Sequence, residues 1–258
     1  KLDWDIARGS WTKKYLDLFT KEQRFIISHF LKLFENHKQG YSELRKAVVH
    51  NDSNDNNIVV SEDLINPKIK AVIDFGDSLH TQIINDLAIA CAYAIMDCPD
   101  PLEAALPVVE GYNSSFPLEE KELAYLYTAI GMRLVISVTK SAINKTKEPE
   151  NVYLQISDRP AWELLEKWIS INPEFAHYSF RNACGFDGNP QEKAFHEFAR
   201  NNTCTLETLF PASHKKTVYP LDLRVSSKWL GHEQEFKDPD FFQYKINALQ
   251  KEHSRKFL

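Results

Sequence analysis

Two short polar segments of this chain carry residue types that suit phosphoryl transfer. Residues 50–57 follow an H-x-D-x-x-x-x-N pattern in which the carboxylate is Asp52 and the final amide is Asn57. Residues 74–77 read Asp-Phe-Gly-Asp and begin with Asp74. Moving a phosphoryl group requires charge neutralisation, alignment of the reactants and a group that accepts the proton of the attacking hydroxyl. The two segments, in this order, therefore predict a phosphotransferase site.

Each of these residue types suits one task in that chemistry. A carboxylate at Asp52 can orient the acceptor hydroxyl and take its proton. The Asn57 amide offers a neutral oxygen to a magnesium ion, and the Asp74 carboxylate can bridge the metals that hold the nucleotide phosphates. Magnesium prefers hard oxygen ligands and keeps several waters, so Asn57, Asp74 and the nucleotide phosphates are sufficient to bind it. The alternative is an Asx-rich turn between two strands, which explains the residue types but not their order.

Runs of β-branched residues flank both segments. Residues 57–61 (Asn-Ile-Val-Val-Ser) and residues 69–74 (Ile-Lys-Ala-Val-Ile-Asp) are separated by a polar Asn-Pro turn. They are predicted to pair as a hairpin, which would place Asn57 and Asp74 at neighbouring strand ends. Gly76 is expected to permit a sharp backbone turn after the metal-binding aspartate.

The segments that carry these motifs resemble the aminoglycoside phosphotransferase (APH) family of small-molecule kinases. The resemblance covers about residues 1–185, and its most specific parts are Val49–Val60, Ala71–Asp77 and Asn85–Tyr93. Within the family the chain looks closest to the branch that contains hydroxylysine kinases. That branch also includes kinase-like domains fused to a peptidase-like segment and to a class III, pyridoxal-phosphate-dependent aminotransferase.

The resemblance implies a role for each matching residue. Asp52 would be the catalytic base, and Asn57 and Asp74 the metal ligands. His50 would brace the catalytic loop, and Asp86 would hydrogen-bond that loop from the start of the following helix. A carboxylate at a helix N-terminus also interacts favourably with the helix dipole, and the two roles are compatible.

Two further residues are candidates for binding the acceptor. Arg133 is a charge within an otherwise apolar helical stretch that resembles the family's G-x-R-L-x-x-S helix. It either clamps an acceptor carboxylate or phosphate or pairs with an acidic residue of the core, such as Asp77 or Asp86. Asp77 could instead attract a cationic amine of the substrate, and His80 and Asp158 could line the same cleft.

The other half of a kinase site is not recognisable in the chain. None of the eight glycines forms a G-x-G-x-x-G loop, and the 49 residues before His50 look helical. The chain also begins at Lys1 without an initiator Met. We therefore expect the large C-terminal lobe of a kinase-like domain, cut from a longer polypeptide. Without its missing N-terminal lobe this piece is expected to be inactive or nearly so.

The predicted fold class is α+β and mainly α-helical: a protein kinase-like C-terminal lobe with a small β-hairpin that carries the catalytic and metal loops. Residues 1–204 are assigned to this lobe. Residues 205–258 read as a linker or the start of the next module, with an arm packed on the lobe as an equal alternative. Helices are predicted over residues 20–37, 85–97, 101–113, 118–144, 151–172 with a break near Pro160, and 173–184.

The amino-acid composition of the chain limits the kinds of partner that it is expected to bind. The net charge is −5 and both signs are interspersed, which disfavours nucleic-acid and anionic-membrane binding. No apolar run approaches 18 residues and no signal peptide is visible, so a cytoplasmic protein is expected. The four cysteines lack C-x-x-C spacing. Cys91 and Cys98 are seven residues apart on one predicted helical face and read as buried thiols rather than a disulfide or zinc site.

These observations favour an ATP- or GTP-dependent kinase that uses Mg²⁺ and phosphorylates a hydroxyl of an amino alcohol or amino acid. Pyridoxal phosphate would belong only to a separate aminotransferase module of the parent protein. The alternative is a non-catalytic kinase-like domain that binds a ligand or organises its neighbours. The intact set of Asp52, Asn57 and Asp74 counts against that alternative, because a scaffold does not require all three.

Overall fold

The computed structural model describes residues 2–63, 65–147 and 158–186, which are mainly helical, as predicted. Two 3-10 segments, Leu2–Trp4 and Ile6–Leu18, come first. The α-helices are Lys21–Ser42 (α1), Ile84–Ala94 (α2), Pro101–Ser115 (α3), Glu120–Lys147 (α4), Asp158–Ser170 (α5) and Pro173–Ala183 (α6). The strands are Lys46–Val49 (β1), Ile58–Val60 (β2), Ile69–Val72 (β3) and Leu79–Gln82 (β4), with 3-10 turns at Asp55–Asn57 and Phe75–Asp77.

Helix α1 begins where the sequence predicts. The backbone N–H of Gln23 donates to the Thr20 hydroxyl over 3.3 Å, and the Gln23 side chain accepts from the Thr20 N–H over 3.2 Å. This capping box satisfies two of the donors that a helix N-terminus leaves without partners. The helix continues to Ser42, beyond the predicted end at His37.

Helix α4 is the centre of the core, and its neighbours approach it closely. Its residue Gly131 lies against the ring of Phe30 on α1, so that a Cβ at this position would be 2.3 Å from a ring carbon. On another side the rings of Tyr127 and Trp168 stack with their centroids 5.3 Å apart. Each of these two side chains also donates a hydrogen bond to the backbone carbonyl of the other.

Ion pairs fix α4 near both of its ends. Arg45 binds the fully buried carboxylate of Glu122 with two hydrogen bonds of 2.9 and 2.6 Å. Toward the other end, the Lys140 ammonium lies 2.6 Å from the Asp3 carboxylate and faces the rings of Trp4 and Trp11. The bidentate Arg45 pair fixes geometry as well as adding energy.

By length and composition alone, α4 is apolar enough to cross a membrane. Its most apolar 18-residue window is 83% buried inside the domain. The window is therefore covered by protein, as in the core helix of a globular domain. Every 18-residue window of this helix contains Arg133, so the expectation that no uninterrupted apolar run approaches 18 residues still holds.

Two separate two-stranded sheets carry the site loops. Strands β2 and β3 form the predicted antiparallel hairpin, with Ile58 opposite Val72. Strands β1 and β4 also pair antiparallel, with Lys46 opposite Gln82, and this pairing was not predicted. Strand β4 gives little signal in the sequence because its two buried residues, Thr81 and Gln82, are polar and adjacent.

Two local expectations about helices need correction. Cys98 does not share a face of α2 with Cys91, because α2 ends at Ala94 and Cys98 lies beyond it. Pro160 does not break a helix interior, because α5 begins at Asp158 and the proline falls in its first turn. Proline is tolerated there since the first backbone N–H groups of a helix have no intrahelical partner.

The described cysteines Cys91, Cys98 and Cys184 are free thiols. Burial raises the pKa of the Cys91 thiol far above its ordinary value and that of Cys184 to about 11. Residues 187–258, with Cys204 and the predicted boundary at 205, lie outside the described residues, as do residues 148–157.

Candidate functional site

The catalytic loop, residues 50–57, leaves β1 through a left-handed residue. Asn51 has φ 64°, a conformation that asparagine adopts more easily than most residues, and it is fully buried. The Asp86 carboxylate, at the start of α2, accepts from the Asn51 N–H over 2.9 Å and from the Ser53 hydroxyl over 3.3 Å. The structure thus contains the contact between Asp86 and the loop that the resemblance implies.

His50 connects the catalytic loop to residues 74–77, which we call the metal loop. The Asp52 N–H donates to His50 Nδ1 over 3.3 Å, so the ring hydrogen is assigned to Nε2, which donates to the Ile73 carbonyl over 2.8 Å. The imidazole also lies edge-on to the Phe75 ring at 4.9 Å. Its position is consistent with the bracing role expected for it.

The Asp52 carboxylate is held from two sides. Its Oδ1 accepts from Arg133 Nη2 and its Oδ2 accepts from Asn57 Nδ2, both over 2.9 Å. The same Asn57 nitrogen donates to the Asp52 backbone carbonyl over 2.9 Å. Because the Asn57 nitrogen is committed to Asp52, the Asn57 amide oxygen is left as an acceptor for another group.

Asp74 lies at the strand end next to Asn57. The Ile73 N–H donates to the Asn57 carbonyl over 2.9 Å, which brings the two candidate metal ligands to adjacent backbone positions. Asp74 itself has φ 56°, so the aspartate, and not Gly76, takes the left-handed conformation of this turn. A Cβ at Gly76 would be 3.0 Å from Asp74 Oδ1, which accepts the Gly76 N–H, so a larger residue there would have to shift this carboxylate slightly.

The donor set fits magnesium. The Asn57 amide oxygen and the exposed Asp74 carboxylate are the hard oxygen ligands that this ion takes in proteins. Within the described residues, no group of three or more His, Cys, Asp or Glu side chains meets to form a metal site. A magnesium ion held here would therefore take its remaining ligands from water and nucleotide phosphates.

Arg133 has a partner that the sequence did not suggest. Its guanidinium pairs with Asp52, and with neither Asp77 nor Asp86. The Arg133 side chain is 3% exposed and lies over the rings of Trp4, at 4.6 Å, and Tyr93, at 5.4 Å. The Tyr93 hydroxyl is 2.9 Å from the nitrogen that binds Asp52. Sequence reasoning did not single out Trp4 or Tyr93 as part of the site. The one signal for them was that both lie in segments that resemble the family.

Among the described residues, neither His80 nor Asp77 makes a hydrogen bond or ion pair with Asp52. His80 is exposed on β4 opposite Val48. Asp77 is half-buried in the 3-10 turn after Asp74, and its carboxylate makes no hydrogen bond or ion pair with the described residues. Asp158 is the first residue of α5, and its side chain is outside the description.

Replacing Asp86 with Ala is expected to loosen the catalytic loop. The buried Asn51 N–H would lose its acceptor, which costs about 1–3 kcal/mol in the free energy of unfolding. Hydrogen exchange at the Asn51 amide and urea unfolding measure the two effects. Asp86→Asn, which keeps a side-chain oxygen, is the matched control. Unchanged exchange at Asn51 in Asp86→Ala would show that the bond does not hold the loop.

The comparisons with known proteins show which family the chain is similar to. Residues 3–120 match the model of the phosphotransferase enzyme family, APH. The matched range contains the catalytic loop, the metal loop and Asp86. The mainly helical architecture with few strands and this match together give the chain a protein kinase-like fold, of the C-terminal lobe type that was predicted.

The curated proteins that are similar to this chain in sequence include hydroxylysine kinases from several vertebrates. The protein from Danio rerio is 35% identical over 145 residues, which are 55% of this chain and 41% of the relative. Those from Xenopus laevis and Mus musculus are 28% identical over 181 residues and 25% identical over 178 residues. The latter two matches cover 66% and 65% of this chain but 48% and 47% of the relatives, so the chain spans less than half of their length. No solved structure matches the chain.

Proposed function

We propose that this chain is the C-terminal lobe of an ATP- or GTP-dependent kinase that phosphorylates a hydroxyl group of a small amino alcohol or amino acid. The observation that carries the proposal is the pairing of Asp52 with Asn57. It fixes a carboxylate for the acceptor and leaves an amide oxygen, next to Asp74, for a magnesium ion. Such a combination serves in-line phosphoryl transfer, in which positioning and charge neutralisation do most of the work.

In this proposal each residue acts on one part of the reaction. The acceptor hydroxyl binds beside Asp52, which takes its proton as the oxygen forms a bond to the γ-phosphorus and the bond to the nucleoside diphosphate breaks. Asn57 and Asp74 would hold magnesium, which neutralises phosphate charge when it is bound with the nucleotide. His50 would connect the catalytic loop to the metal loop, and Asp86 would hold the catalytic loop from the start of α2.

Exposed apolar side chains on the hairpin are an argument that a second, N-terminal lobe packs there in the complete protein. Seven apolar side chains of this region are between 37% and 69% exposed, a concentration that a folded protein usually covers with another surface. We propose that the N-terminal lobe of the complete kinase packs here and closes the nucleotide site. The seven are Ile58, Val59, Val60, Ile69, Val72, Ile73 and Phe75.

The acceptor class is proposed from the relatives. The curated relatives reported above are hydroxylysine kinases, so we propose a hydroxylated amino acid or amino alcohol as the acceptor. We also propose that the protein acts in the cytoplasm.

A fused aminotransferase belongs to the same proposal. The Pro-Leu-Asp-Leu sequence at residues 220–223 resembles the stretch near the junction of the fused proteins. In such a protein the phosphorylated amino alcohol would pass to a class III aminotransferase module, where pyridoxal phosphate would be bound. Spectra of the purified full-length protein test this directly, because bound pyridoxal phosphate absorbs in the visible range.

The decisive experiment measures phosphate transfer from radiolabelled Mg-ATP and Mg-GTP by the full-length protein. The acceptors are hydroxylysine, ethanolamine, homoserine, choline and an aminoglycoside. Transfer to one acceptor that is lost in Asp52→Asn supports the proposal and identifies the substrate. Nucleotide binding without transfer to any acceptor would favour the non-catalytic alternative. The 258-residue chain alone is expected to transfer phosphate poorly or not at all.

A further inference from the structure

The buried guanidinium of Arg133 lies directly behind the carboxylate that is proposed to act as the base. We propose that Arg133 is a positioning residue: it fixes the orientation of the Asp52 carboxylate for the acceptor and does not itself bind the acceptor. This inference rests on the proposed kinase function. It assigns a specific task to a residue of α4 that is far from the catalytic loop in sequence.

The contacts of Asp52 show what Arg133 adds. The carboxylate is partly exposed and extends from a loop, and without Arg133 its one side-chain bond would come from Asn57. A carboxylate held through a single oxygen can still rotate about its last side-chain bond. The Arg133 bond to Oδ1 and the Asn57 bond to Oδ2 together prevent that rotation.

Arg133 is itself held rigidly. Its guanidinium is packed over the Trp4 and Tyr93 rings, and the Tyr93 hydroxyl is at hydrogen-bond distance from Nη2. Contacts between a guanidinium and aromatic faces are attractive, and more so where water is excluded. The planar group is therefore fixed by the core at one end and by Asp52 at the other.

The geometry does not suit direct acceptor binding. Arg133 Nε and Nη1 have no hydrogen-bond partner among the described residues, but both atoms are closed off from solvent by the protein around them. The accessible partner of the guanidinium is Asp52 itself. A ligand carboxylate would have to displace the protein atoms that cover these two nitrogens before it could reach them.

A role in stability alone is also a poor explanation for a buried arginine at position 133. Removing a charged pair from water costs free energy, and a well-packed apolar side chain of similar volume is often as stable or more stable. Here the cation additionally retains buried N–H groups without acceptors, which is a further cost. Such a residue is better explained by what it does to the orientation of Asp52.

Steady-state kinetics of Arg133→Met, Arg133→Lys and the matched control Lys140→Met in the full-length protein test the proposal. Lys140 is also on α4 and also faces Trp4, but it pairs with Asp3 and does not contact Asp52. We expect Arg133→Met to lower kcat about 10- to 100-fold with the acceptor KM within about twofold, because a misplaced catalytic group reduces the rate more than binding. Arg133→Lys should recover part of kcat, and Lys140→Met should keep it.

Two kinetic results would overturn the proposal. A raised acceptor KM with unchanged kcat in Arg133→Met would make Arg133 a binding group for the acceptor. Unchanged kcat and KM, with a lowered unfolding midpoint only, would make its role structural. Arg133→Lys keeps the charge and provides the same comparison of kcat with KM if the Met variant does not fold.

A double-mutant cycle tests the underlying contact without any assay of activity. Unfolding free energies are measured for the full-length protein, Asp52→Ala, Arg133→Met and the double variant, because each of these single substitutions removes the contact between the two side chains. If the pair is formed, the effects of the two substitutions are not additive. Additive effects would show that Arg133 does not hold Asp52 in solution and would overturn the inference, even if the acceptor remained unidentified. Failure of the kinase proposal alone would instead appear as absent turnover with the coupling intact.

Discussion

Phosphoryl transfer by the full-length protein is expected to fall about 10²- to 10⁴-fold when Asp52 is replaced by Asn, the range found for loss of a general base. An amide cannot accept the proton of the attacking hydroxyl. The substitution also removes the negative charge opposite Arg133, whose guanidinium is buried. Initial rates with radiolabelled nucleotide at saturating acceptor measure the loss, and nucleotide affinity should change little.

The same loop provides a matched control for this experiment. Asp55 is exposed, and its one side-chain contact among the described residues is a 3.4 Å hydrogen bond from Asn56. Asp55→Asn removes the same charge at a distance of three residues and should leave the rate near that of the wild type. Equal losses in the two variants, or full activity in Asp52→Asn, would contradict the assignment of Asp52 as the base.

Replacing Gly131 with Ala is expected to lower the free energy of unfolding by about 1–3 kcal/mol, the usual cost of overpacking a core. The new Cβ would lie 2.3 Å from a ring carbon of Phe30, which is fully buried and has little room to move. Alanine favours a helix over glycine by about 1 kcal/mol, which opposes the effect without removing it. Urea unfolding followed by circular dichroism measures the difference.

Gly111 provides the control for that substitution. It is also a helical glycine, in α3, but a Cβ there would meet no atom within 4 Å. Gly111→Ala should therefore leave the stability unchanged or raise it by up to about 1 kcal/mol, through helix propensity alone. If Gly131→Ala proved as stable as Gly111→Ala, α1 and α4 would not pack as closely as the structure shows.

The sequence was sufficient to predict the elements that are determined by residues close together in the chain. The hairpin of β2 and β3 was predicted because two β-branched runs flank a turn, which is a short-range signal. Most helix bounds were predicted to within about five residues for the same kind of reason, while the predicted helix start at residue 151 lies outside the described residues. The spacing of Asp52, Asn57 and Asp74 allowed a prediction of the site, because those residues are close in the chain as well as in space.

The sequence was insufficient where the partner lies far along the chain. Arg133 and Asp52 are 81 residues apart, and either Asp77 or Asp86 was an equally reasonable partner before the packing of α4 was known. The pairing of β1 with β4 is similar, because the buried positions of β4 are polar and are stabilised by hydrogen bonds to residues elsewhere, including Asp5. Tertiary packing decides such contacts, and short patterns do not encode it.

The attachment of α4 at both ends has a consequence for how the site responds to heat. Arg45 and Asp3 fix this helix on either side of Arg133, and Arg133 in turn holds Asp52. Loops usually open at lower temperature than the core that supports them. Here the carboxylate of the catalytic loop is connected directly to the most buried helix, so its geometry should persist until that helix melts. Heating should therefore abolish activity in the same narrow interval in which the helical signal is lost.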